Sequence, residues 1–183
     1  SHSFYRGAIY NNIVPRWKGV YHKGLGEHYE RAYDGKLDEA AYELARHYSM
    51  TSEKPKAVRY GIMAGEKAEA AYAAEQAMAF YRGALMVLKS SPKASETDER
   101  TAELGRRVAD LLALSGDYDG AMKEYGEVLA LVRDPDARAR IHRLMATIVS
   151  NKGDYGAALA SIDAGKAELA GAQNAEMGRL INA

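Results

Sequence analysis

The sequence predicts an all-helical protein made of antiparallel helix hairpins stacked one on the next. Three observations predict it. Apolar residues recur every three or four positions along the chain, with no convincing two-residue alternation, so helices are expected and strands are not. The four prolines, Pro15, Pro55, Pro92 and Pro135, all fall between the periodic segments, where a helix's first turn tolerates them. Finally, "SGDYDGAMKEY" (Ser115 to Tyr125) is echoed by "NKGDYGAALAS" (Asn151 to Ser161), with the Gly-Asp-Tyr triplets 37 residues apart.

The stripes follow in order. Trp17, Tyr21, Leu25, His28 and Ala32 form the first after Pro15, and Ala41, Leu44, Ala45 and Tyr48 the second. Ala57, Tyr60, Ala64 and Ala68 come next, then Ala77, Tyr81, Ala84 and Leu88. The second half carries Gly105, Val108, Ala109 and Leu112, then Ala121, Tyr125, Val128 and Val132. Ile141, Met145 and Ile148 precede Ala158, Ile162 and Leu169.

The echoed phrase reads as a corner. Gly116 and Gly153 stand where a helix ends, since glycine adopts the left-handed closing conformation at little cost. Asp117 and Asp154 are placed to accept the free amides that open the next helix. Tyr118 and Tyr155 are expected to pack over the turn, with Ala121 and Ala158 at the helix crossing. Ala109 and Ala146 each lie seven residues before the corner glycine, and Ala45 stands in the same relation to Ser52.

Such a pair, recurring every 30–40 residues with small residues at its crossings, resembles the tetratricopeptide repeat (TPR). The resemblance implies a TPR-like right-handed superhelix over residues 15–183. Its units are uneven. Ala57 to Ala77 is too short for a full repeat, and "AYAAEQAMAFYRGAL" joins two helices through a minimal turn. "KSSPKASETDER" suggests a mobile loop over about 89–97, and the end, 172–183, reads as a truncated last repeat of a longer protein.

The front end carries a second resemblance. "HSFYRGAIYNNIVPRWKGVYHKGLGEHYE" resembles the junction of predicted STAND-type signal-transduction ATPases, including those fused to nucleotide cyclases or kinases. There a His-x3-Arg-x3-Tyr rhythm runs into Pro and then a helix with His and a closing Glu. His2, Arg6, Tyr10, Pro15, His22 and Glu30 hold those places, and Gly26 a usually small one. "ELARHYSMTSEKPKAVRYGIMAGEKA" resembles the first repeat after it. The resemblance implies that residues 1–14 end a preceding winged-helix-like segment, and that the rest is a carboxy-terminal sensor or regulatory arm. Gly19 and Gly24 depart from it, standing where charged residues are usual, at about 1 kcal/mol of helix stability each.

Composition narrows the function. Acidic and basic residues number 25 each among 183, so nothing steers the chain toward a polyanion. Cysteine is absent, which removes disulfides and thiolate metal sites and accords with a cytoplasmic home. No apolar run is long enough to span a bilayer. No G-x4-G-K-[ST] motif is present, so no P-loop nucleotide site is expected. His22 and His28 lie on different helix faces, and His47 and His142 have no evident histidine or carboxylate partner, so no metal is expected. Gly-x-Gly in "GLGEH" lacks the strand and third glycine of a nucleotide loop, and Asp134 before Pro135 reads as a helix cap.

The expectation is therefore a non-enzymatic protein–protein interaction scaffold without catalytic residues or cofactors. In stacked hairpins the first helices line the concave face. Off-stripe positions there are Tyr42, Arg46, Glu103, Arg106, Asp110, Arg143, Thr147 and Asn151, a mixed-charge groove with a basic tilt from Arg138, Arg140 and Arg143. An i, i+4 pair of Arg106 with Asp110 on a solvated face explains the same residues equally well. The expected partner is a protein or peptide, including other domains of the same full-length chain. An RNA-binding helical repeat is the alternative, kept open by the cluster from Arg133 to Arg143 and disfavoured by the balanced charge.

Overall fold

The computed structural model describes residues 14–90 and 95–170. Among these residues there are eight helices and no strand. They are α1 (Pro15–Ala32), α2 (Ala41–Tyr48), α3 (Lys54–Ala70), α4 (Ala74–Lys89), α5 (Ser95–Leu114), α6 (Tyr118–Leu129), α7 (Pro135–Asn151) and α8 (Tyr155–Glu168). The consecutive helices α1 to α4 pack on one another, and so do the consecutive helices α5 to α8. The chain divides into two compact units, one ending at Val87 and the other starting at Leu88.

Pro15 and Pro135 are the first residues of α1 and α7, and Pro55 is the second of α3, so each sits where its missing amide costs nothing. Pro92, the segment 1–13 and the expected partial repeat at 172–183 lie outside the described residues. The expected loop at 89–97 is shorter than its composition suggests. Helix α4 runs through Lys89 and α5 starts at Ser95.

Both echoed corners close as expected. Gly116 and Gly153 have φ of 86° and 82°. The amides of Gly116 and Asp117 donate to the carbonyls of Ala113 and Leu112, and those of Gly153 and Asp154 to Ser150 and Val149. This double closure satisfies carbonyls the helix end leaves open. The Asp117 and Asp154 carboxylates then accept from the amides of Gly120 and Ala157, at 3.0 and 2.9 Å. Asp134 caps α7 in the same way through Ala137. The tyrosines behave differently from expectation: Tyr118 is half-buried, but Tyr155 is 70% exposed. The glycine and aspartate close the corner without it.

A third corner carries the same bonds without the sequence phrase. The amides of Tyr72 and Ala73 donate to Glu69 and Ala68, and Tyr72 takes the glycine's place at φ 58°. It makes α3 and α4 a full hairpin, correcting the reading of Ala57–Ala77 as a short unit. Counting from this corner, Gly65 stands where Ala109 and Ala146 stand in the others, and Ala77 matches Ala121 and Ala158. Gly65 is needed because the Tyr81 ring lies where its side chain would be.

The apolar stripes of α2 to α7 are largely buried, with Tyr48, Tyr60, Tyr81 and Tyr125 among the most deeply enclosed side chains. The first stripe is the exception. Trp17, Tyr21 and Leu25 are 55%, 59% and 45% exposed, and His28 and Ala32 are exposed too. Helix α1 instead turns His22 and Gly26 inward, with Tyr29 and Glu30 half-buried. Gly26 permits this choice: its backbone lies against the Tyr48 ring, where even a Cβ would come within 2.8 Å. Polar ties complete the attachment. Glu30 accepts from Lys56 Nζ at 2.8 Å and from the Tyr60 hydroxyl at 2.6 Å, and Lys56 also reaches the Tyr48 hydroxyl at 3.1 Å.

Candidate functional site

The eight residues expected to line a groove fall in both units, Tyr42 and Arg46 in the first and the other six in the second. In the first unit, Tyr42 is half-buried and stacked on Phe80, with ring centroids 5.5 Å apart and planes 8° from parallel. Lys67 sits over the same ring at 5.3 Å while donating to the carbonyls of Asp38 and Glu39. Tyr42 is therefore a packing residue joining α2 to α4. Arg46 is exposed, with Glu43 at 3.8 Å.

In the second unit, Glu103, Arg106 and Asp110 do come together. Arg106 donates to Glu103 at 2.9 Å from Nη2 and to Asp110 at 2.5 Å from Nη1. Asp110 also accepts from the Tyr125 hydroxyl at 2.5 Å, which ties α5 to α6. The bond from Glu103 raises the Arg106 guanidinium further above its ordinary value, and burial followed by the Asp110 bond raises the Tyr125 phenol. Burial pulls the Glu103 carboxyl upward, but bonds from Arg106 and Arg107 outweigh it and hold the group below its usual range. The i, i+4 pairing is thus real, and it fixes the Arg106 head rather than leaving it to solvent.

Beside this network lies a cavity of about 640 Å³ between α5, the loop after α6, and the start of α7. Its apolar lining includes Val128, Leu131, Val132 and Ile141, and its polar lining Glu103 and Arg106. Two further arginines line it, Arg133 in the loop and Arg140 on α7; both are exposed and neither has an ion pair among the described residues. Asp98 and Glu99, on the first turns of α5, face the same space. Sequence reasoning counted Arg133 and Arg140 in a basic cluster but did not select them. The loop Leu131–Asp134, which carries Arg133 to the start of α7, was the available signal.

Asp110, Arg143, Thr147 and Asn151 do not line this cavity. Thr147 bonds back to the Arg143 carbonyl at 3.1 Å, and Asn151 is exposed at the end of α7. Arg138 has a structural task. It donates to the carbonyls of Leu129 and Val132 at the end of α6 and pairs with Glu168 on α8 at 2.8 Å.

Two histidines have partners that sequence spacing did not suggest. His47 shares a hydrogen bond with His22 across α1 and α2, and His142 Nε2 lies 3.8 Å from Glu168. Folding brings together residues 25 apart in the first case and 26 apart in the second, distances no local periodicity reads. Among the described residues, no group of three or more His, Asp or Glu side chains is arranged to hold a metal ion. No described helix is long and apolar enough to cross a membrane.

These features define the class: an all-helical protein of consecutively packed helices carrying a mixed-charge cavity. No family model matches the chain, and no curated protein is similar to it. Among solved structures it is similar to BtubC (BKLC) from P. vanneervenii, with a TM-score of 0.58 at 19% identity over 94% of this chain and 74% of that one. At that identity the likeness concerns the fold alone.

Proposed function

We propose that the protein is a non-enzymatic interaction scaffold of TPR-like hairpins that binds an extended peptide in the cavity between α5 and α7. The observation that carries this reading is the pairing of an apolar floor with two guanidiniums, Arg133 and Arg140, that have no ion pair among the described residues. A peptide whose apolar side chain enters the cavity, followed by a carboxylate, satisfies both features. Arg106 contributes a fixed wall, since Glu103 and Asp110 already neutralise it. The resemblance of the front end to STAND-type ATPases supports placing the chain as the regulatory arm of a larger signalling protein, with the peptide drawn from a partner or from its own parent chain.

Selection of peptides from a random displayed library against the full chain tests the proposal. Selected sequences are expected to pair an apolar residue with Asp, Glu or a free carboxyl terminus. Changing Arg133 and Arg140 together to Glu should weaken their binding by about tenfold or more, whereas Arg143→Glu, outside the cavity, should change it little. Failure to select any peptide, or equal binding by the double variant, would overturn the reading.

A further inference from the structure

The outward face of α1 is built for packing yet has no partner among the described residues. Val14, Trp17, Tyr21 and Leu25 are spaced three, four and four residues apart and are 60%, 55%, 59% and 45% exposed. Val20, beside them, is 52% exposed. Successive three- and four-residue steps align side chains along one helix face. An amphipathic helix normally turns such a stripe toward the core, but α1 is fastened by its other face through Gly26, His22 and Glu30. Helix α1 therefore has two packing faces, of which one is used among the described residues. Contiguous exposed apolar patches with aromatic anchors mark interaction surfaces.

We infer that this stripe is a self-association surface, covered by α1 of a second copy of the chain in antiparallel orientation. The spacing itself argues for this occupant. Positions 14, 17, 21, 25 and 28 lie symmetrically about Tyr21, so a two-fold axis there makes the stripe its own complement. Trp17 of one copy then packs on Leu25 of the other, Val14 lies opposite His28, and the two Tyr21 rings meet at the axis. The charged residue nearest the stripe, Lys18, falls opposite Gly24, around which a side chain would find open space. No like charges face each other across the seam. The exposed residues offer roughly 500 Å² per copy, hence about 1,000 Å² in all, at the lower edge of specific interfaces. A weak, concentration-dependent dimer is expected.

Trp17 is the single tryptophan, so it reports on the stripe directly. The test is sedimentation equilibrium of the full chain from about 1 to about 200 µM, with Trp17 emission and acrylamide quenching over the same range. The mass is expected to rise from one chain toward two while emission shifts blue and quenching falls several-fold. Tyr21→Lys, which sets lysines against each other at the axis, should hold the chain monomeric with unchanged helicity; Leu25→Lys should do the same from an off-axis position. A one-chain mass throughout would overturn the inference. So would a Trp17 shielded equally at all concentrations, which would mean that its own chain covers it, or a dimer indifferent to both substitutions.

Discussion

The Nδ1 atoms of His22 and His47 lie 2.8 Å apart and share one hydrogen bond, fastening α1 to α2 in a buried position. One imidazole donates and the other accepts, so at least one must be neutral. The Tyr29 ring stacks on His47 at 5.7 Å, Arg46 stands nearby, and Glu43 approaches the far nitrogen of His47 at 3.8 Å.

Stability should therefore fall as the solution becomes mildly acidic. Burial first, then Arg46 for His22 and the neighbouring His22 for His47, holds both imidazoles below the ordinary value of 6.5. Burial lowers His142 as well, against the opposing pull of Glu168. With folded pKa values below unfolded ones, the unfolded chain takes up protons first, so stability is full above 6.5 and is lost as pH drops below it. Urea midpoints between pH 8 and 5 should decline more steeply for the wild type than for the His22→Asn/His47→Asn double variant. Equal slopes would remove the pair from this account.

The three equivalent corners should respond with opposite signs to exchange of the corner residue. Tyr72 holds a positive φ of 58° with its side chain 97% exposed, so it gains little contact for its backbone cost. Tyr72→Gly should stabilise the protein by about 0.5–1 kcal/mol, whereas Gly116→Ala and Gly153→Ala should each cost about 1 kcal/mol. Thermal or urea unfolding decides it; a destabilised Tyr72→Gly would mean that the ring has a packing role.

Close approach at Gly65 predicts a non-additive pair. A methyl group there would displace the Tyr81 ring, whose hydroxyl bonds to Glu69 at 2.8 Å. Gly65→Ala alone should cost about 1–3 kcal/mol through overpacking. Adding Tyr81→Leu makes room for the methyl, so the double variant should be more stable than the two separate losses would sum to. Strict additivity would show that the two residues do not share that space.

The Asp110 carboxylate should matter more than either of its partners. Tyr125→Phe removes one bond and leaves Asp110 paired with Arg106, at a cost of about 1–2 kcal/mol. Asp110→Ala strips a partner from both the tyrosine and the arginine and should cost more. If the binding proposal holds, Asp110→Ala, which leaves Arg106 held by Glu103 alone, should also tighten binding of a carboxylate-bearing peptide by leaving more positive charge beside the cavity. Equilibrium unfolding and anisotropy with a selected peptide measure the two effects separately.

Local signals made much of this protein readable from its residues. Gly116–Asp117 and Gly153–Asp154 close and cap helices through bonds spanning only a few residues, so the phrase alone announces two hairpins. The third hairpin was legible only as two helices joined by a minimal turn and not as a full repeat, because Tyr72 adopts a conformation that sequence reasoning reserves for glycine. Periodicity likewise identified α1, but its apolar stripe is not the face that is buried; the buried face carries His22. A helix with a large apolar stripe has a default inward side, yet the contacts that settle its orientation here are a glycine against Tyr48 and bonds to His47, Lys56 and Tyr60.

Helix type and the chemistry of the two glycine corners were thus determined by sequence alone, because each depends on neighbours within a turn or two. Which face of α1 is buried, which histidines meet, and which arginines stand beside the cavity were decided only by tertiary structure. Those outcomes compare contacts between residues tens of positions apart, where a single missing Cβ or a shared proton outweighs the default set by hydrophobic spacing.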